Sequence, residues 1–97
     1  MGKIVPNFWF FVEFKMAKGG WTCHWHTKRA DLKYTLEWFN EKEKLIKKSY
    51  PELETSIEVG TKNSNFIRMF FNIDQENIVD DSLKIFLKTK EIMEYSV

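Results

Sequence analysis

The sequence predicts an α+β fold: a small mixed or antiparallel sheet of three to four strands with two helices packed on it. Three observations carry this expectation. Residues 31–50 repeat apolar side chains with a helical period and stop at Pro51. Two short aromatic-rich runs, FWFFVEF at 8–14 and FIRMFFNI at 66–73, have the length and composition of strands. A third apolar stretch, 55–59, follows the helix and precedes a turn-rich segment, as in a hairpin.

In the first run, residues 8–14, apolar side chains fall at consecutive positions, so it reads as a central strand buried on both faces. Ala17-Lys18-Gly19-Gly20 breaks it. The next segment, WTCHWHT at 21–27, reads either as a loop leading to the helix or as a second strand paired through the Gly-Gly turn. Asp31 suits an N-cap. On a helical wheel Leu32, Leu36, Phe39, Ile46 and Tyr50 share one face. Tyr34, Trp38 and Leu45 form a second strip. Leu32, Tyr34, Leu36 and Trp38 also alternate with period two, so residues 31–39 carry a competing strand pattern; the long helix is the preferred reading.

Pro51 ends the helix, because its ring clashes with the preceding turn. Residues 55–59 and 66–73 then form the hairpin, joined by a turn at 60–65. Asp80, Asp81 and Ser82 offer caps and favourable negative charge for a last helix, with Val79, Leu83, Phe86, Leu87 and Met93 as its apolar face. A helix between two strands of one sheet makes a split β-α-β unit, whose flanking strands are parallel and are adjacent or separated by a third.

Length and composition bound the function. Ninety-seven residues form a single globular domain, 1–97, and 43% hydrophobic with 30% charged residues is globular rather than disordered. A formal charge of +1 gives no basis for nucleic acid as a partner. No segment approaches the ~20 apolar residues of a membrane span. One cysteine excludes an internal disulfide and points to an intracellular, reducing compartment such as the cytoplasm. Lys28 and Arg29 with Lys42, Lys44, Lys47 and Lys48 form a basic set for RNA, but Glu37, Glu41 and Glu43 interleave with them, which favours a solvated face. Aromatic content of 16%, with nine Phe and four Trp, is high for a small domain and suits either a core built on rings or apolar surface kept for a partner. Such a surface would bind a partner protein or a second copy of the chain.

Lys47-Lys48-Ser49-Tyr50-Pro51, residues 55–59 and Phe66-Ile67-Arg68-Met69-Phe70-Phe71-Asn72 resemble a branch of the thioredoxin-like family. That branch is shared by some mitochondrial ribosomal proteins and a small accessory subunit of respiratory complex I. The resemblance implies a thioredoxin-like sheet, a place as an accessory subunit of a larger, mitochondrial assembly, and the mitochondrial matrix as its compartment.

Clustered chemistry is confined to Cys23-His24-Trp25-His26. A Cys-x-x-His pair at a helix start can activate a thiolate, and His24 and His26 on one strand face can bind zinc with Cys23. The plainer reading puts Trp21, Cys23 and Trp25 toward the core and Thr22, His24 and His26 toward solvent. Neither a paired acid/base motif nor a phosphate loop is present, so the sequence reads as a non-catalytic protein-interaction domain without cofactor. Trp9, Phe11, Phe70 and Phe71 are its partner-binding residues. The alternatives are a thiol-redox or metal-binding protein using Cys23, His24 and His26, and a small viral inhibitor that binds a host factor.

Overall fold

A computed structural model describes residues 7–28, 32–60 and 66–94. The elements run β1 (Trp9–Lys15), β2 (Gly20–Lys28), α1 (Leu32–Ser49), β3 (Thr55–Val59), β4 (Phe66–Phe71) and α2 (Ile78–Glu94). The strands form one antiparallel sheet of order β1-β2-β4-β3. The protein is therefore a small α+β domain.

Residues 21–27 are a strand, not a loop, and they sit in the middle of the sheet. Gly19 makes the turn that returns β1 to β2, with φ of 80°, a left-handed conformation that glycine adopts without strain. Gly20 follows with φ of 154°, and a Cβ there would sit 2.4 Å from Gln75 Oε1. That close approach has a purpose. β4 pairs with β2 no further than Cys23, so Trp21 extends past its partner. The Gln75 side-chain amide replaces the missing strand: Trp21 N–H donates to Oε1 at 2.7 Å, and Nε2 donates to the Trp21 carbonyl at 2.8 Å.

β2 and β3, which flank α1, are both antiparallel to β4 and hence parallel to each other. β2-α1-β3 is a split β-α-β unit with β4 inserted between its strands. β4-α2 begins a second such unit, and its last strand position, beside β2, is taken by the N-terminal β1. This arrangement corrects the reading of residues 8–14 as a central strand. Topology makes β1 an edge, paired with β2 alone among the described residues.

α1 forms as one helix through residue 49, so the competing strand pattern of 31–39 loses over its described part. Its inward row is Thr35, Phe39, Lys42 and Ile46, spaced at helical intervals and lying over β4 and β3. Trp38 flanks that row and packs on Phe8, while Leu45 is exposed. Lys42 is buried, with Nζ 5.2 Å from the Trp38 ring, so it belongs neither to a solvated face nor to a basic set for RNA. Burial lowers its pKa.

α2 departs further from expectation. Its buried row is Ser82, Ile85, Thr89 and Met93. Of the apolar face read from sequence only Met93 is buried and Phe86 half-buried, whereas Val79, Leu83 and Leu87 are exposed. The helix is rotated so that Ser82 and Thr89 turn inward: Trp25 Nε1 donates to Thr89 Oγ1 at 2.9 Å, and Thr89 Oγ1 donates to the Ile85 carbonyl at 2.7 Å. The N-terminal cap also differs. A short 3-10 turn, Gln75–Asn77, enters the helix, and Asp74 caps that turn by accepting from Glu76 N–H. Asp80 and Asp81 lie in the first turn of α2.

The inner face of the sheet, under both helices, carries Cys23, Trp25, Ile67, Met69 and Phe71, with Phe39, Ile46, Ile85 and Met93 from above. Trp25 is the hub. Phe8, Phe10 and Phe86 surround its ring at centroid distances of 5.4, 5.1 and 5.7 Å. The Asp31 cap, the Leu32 side chain, Arg29 and the turn at 61–65 lie outside what the structure describes.

Candidate functional site

Side chains alternate along a strand, so the register divides the singled-out residues between two faces. Trp9 shares a row with His26 and Arg68, and Phe11 with His24 and Phe70, all on the outer face, opposite α1 and α2. Phe10, Val12 and Phe14 fall on the inner face with Trp25, Cys23 and Trp21.

The Cys23-His24-Trp25-His26 cluster is split by this alternation. The Cys23 thiol is buried in the core, where desolvation pushes its pKa up to about 12. The neighbouring Ser82 hydroxyl opposes that rise without cancelling it and makes no well-formed hydrogen bond. His24 and His26 point the opposite way. Among the described residues no three metal-ligating side chains converge. The thiol is expected to be inert in the folded protein: a disulfide reagent at pH 8 should modify Cys23 only in denaturant, and rapid modification of native protein would contradict the buried placement.

The histidines do face outward, but not to water. His24 is wholly buried, flanked by Phe70 at 4.8 Å and Phe11 at 5.5 Å. His26 is held by Trp9 at 5.1 Å, by Phe11 at 5.4 Å and by the stacked Phe66 ring at 5.9 Å. Charged side chains roof this layer. Lys18 Nζ lies 4.4 Å from the Phe70 ring and 3.8 Å from Glu58. Arg68 covers Phe66 at 4.2 Å and donates from Nε to His26 Nδ1 at 3.1 Å, which requires His26 to be neutral with its proton on Nε2. Burial, then Arg68 and other cationic neighbours, drive the His24 pKa down to about 3 and lower that of His26. Both histidines are neutral at pH 7 and act as ring packing.

Of the four residues read as partner-binding, Trp9 and Phe11 are well exposed, at 38% and 40%. Phe70 shares their face but is closed over by Lys18. Phe71 points inward and is core, so it presents no ring to a partner.

Sequence reasoning missed a set of exposed apolar side chains on the inner side of the same edge. Val12 and Phe14 are exposed on β1, the latter at 57%. Above them run Val79, Leu83 and Leu87 of α2. At about 100° per residue Val79 and Leu83 lie within about 60° of Phe86, which touches Phe10 of β1 at 5.3 Å, whereas Leu87 lies about 100° from Phe86 and turns away from the sheet. Val79 and Leu83 therefore lie on the β1 side of α2. The i, i+4, i+8 spacing was legible, but only the rotation of α2 shows that it is left bare.

Comparison with family models, with curated proteins and with solved structures finds no match to this chain. The class that can be stated is the one defined by fold and surface: a small α+β domain with an aromatic cluster and an apolar sheet edge. No described helix is long and apolar enough to cross a membrane.

Proposed function

We propose that this protein is a non-catalytic interaction domain that binds another protein through the β1 edge. One observation carries the reading: among the described residues β1 is an edge strand open on one side, with large apolar side chains exposed on both of its faces. Edge strands are usually short, charged or covered, because their free N–H and C=O groups invite pairing with another chain. β1 is seven residues long and exposes Trp9, Phe11, Val12 and Phe14. An apolar patch rimmed by charge is the usual mark of a protein-binding surface. The place of such a domain as an accessory subunit belongs to the same proposal, and a small inhibitor acting on a host protein would use the same edge. The thiol and metal readings draw no support from side chains that point to opposite faces.

The test compares wild-type protein with a Phe11→Ser/Phe14→Ser variant, each isolated from its native extract. Wild type is expected to elute as a complex, with another protein or with itself, and the variant alone. The two should share a circular dichroism spectrum and a melting temperature, since exposed substitutions usually change stability by only about 0.5 kcal/mol. Wild type that elutes alone, or a variant that unfolds, would remove the basis for the proposal.

A further inference from the structure

We infer that the occupant of the β1 edge is a second copy of this chain, paired β1 to β1 about a two-fold axis through Val12, so that two four-stranded sheets become one. This inference deepens the interaction reading and rests on it.

The strand is self-complementary in one register. An antiparallel pair about a two-fold normal to the sheet keeps the inner faces together only if residues of the same parity meet. Val12 is the midpoint of Trp9–Lys15, so an axis at Val12 lets all seven residues pair. Phe10 then faces Phe14 of the second copy, and Val12 faces Val12, on the inner side. On the outer side Trp9 faces Lys15 and Phe11 faces Glu13. No like charges stand directly opposite, and the Lys15 ammonium meets an aromatic ring. Moving the axis to Glu13 sets two carboxylates against each other. Moving it to Phe11 leaves Lys15 beyond the paired strand.

The helices fit the same symmetry. α2 sits over β2, fixed by the Trp25–Thr89 hydrogen bond and by Ser82 beside Cys23. Two β2 strands separated by two β1 strands stand about 14 Å apart. Helices in contact pack at about 8–10 Å. The gap of a few Å is what Val79 and Leu83 of each copy would fill, with Phe14 beneath. Pairing thus buries the strand edge and these bare side chains of α2 together. Six exposed apolar side chains offer on the order of 550 Å² per copy, or roughly 1,100 Å² for the pair, close to the lower bound of a stable specific interface.

Sedimentation of the purified full chain, together with cysteine cross-linking, tests this. Wild type should sediment as a dimer. Val12→Cys should oxidise to a covalent dimer, because directly opposed Cα atoms lie about 4.5–5.5 Å apart, within disulfide reach. Phe14→Cys should not, since position 14 of the second copy lies about 13 Å away along the strands. Native Cys23 is buried and does not compete. Val79→Glu/Leu83→Glu changes exposed positions and should give a folded monomer. A wild-type monomer at high concentration overturns the inference. So does a dimer in which the Val12→Cys variant fails to cross-link, or in which the Phe14→Cys variant cross-links equally well. A monomer that still forms a complex sensitive to Phe11→Ser/Phe14→Ser defeats the two-fold pairing and leaves the interaction reading standing. A monomer without any such complex defeats both.

Discussion

Trp25→Ala is expected to cost about 3–5 kcal/mol, the range for removing a large aromatic from a core that cannot collapse around the gap. Trp25 is 3% exposed and touches every layer of the inner core. Its ring meets Phe8, Phe10 and Phe86, and its indole N–H reaches Thr89 on α2. Nothing nearby can move in, because Phe10 is tied to the edge strand and Phe86 to a helix. Domains of this kind have only about 5–15 kcal/mol of stability, so the variant should be largely or wholly unfolded near body temperature. Trp25→Phe keeps most of the ring and loses the hydrogen bond to Thr89. It should cost clearly less, about 1–2 kcal/mol, in keeping with one hydrogen bond and a small void. Urea unfolding followed by circular dichroism checks both. A loss under about 1 kcal/mol for Trp25→Ala would mean that the ring is not the hub of the core.

Acid should unfold this protein through its histidines. The His24 pKa is lowered from 6.5 to about 3, chiefly by burial and then by Arg68, His26 and Lys15. A base with a depressed folded pKa is held neutral by the fold, and the unfolded chain takes up protons first. Stability is therefore full above pH 6.5 and falls as pH drops toward 3. His24 alone should cost about 2–3 kcal/mol by about pH 4.5. His26 adds to this in the same direction. His24→Leu should flatten that part of the profile. It should also be neutral or stabilising at pH 7, because both ring nitrogens of His24 are buried without a hydrogen-bond partner, Glu13 lying 3.8 Å away. Melting temperatures of both proteins from pH 8 to 4 measure the effect. Equal acid sensitivity in wild type and variant would show that His24 is already charged in the fold.

The chain's local signals determined its elements. A helix before Pro51 and strands over most of 8–14, 55–59 and 66–73 appear where the local signals put them, and they suffice for the α+β class, because propensity, periodicity and breakers act over a few residues. Alternation along 21–27 likewise separated Cys23 from His24 and His26. What lay beyond the sequence was which neighbour each element has. The run at 8–14 is apolar at both parities, which a central strand and a self-associating edge strand satisfy equally; only the β1-β2-β4-β3 order makes it an edge. Val79, Leu83 and Leu87 have core spacing, yet Ser82 and Thr89 turn toward β2 because the indole of Trp25 needs an acceptor, and the apolar strip is rotated out. His24 and His26 face outward by alternation but are dry, since rings from β1 and β4 and the Lys18 side chain close over them. Strand order, helix rotation and burial are set by contacts between residues far apart in the chain, and no local pattern encodes them.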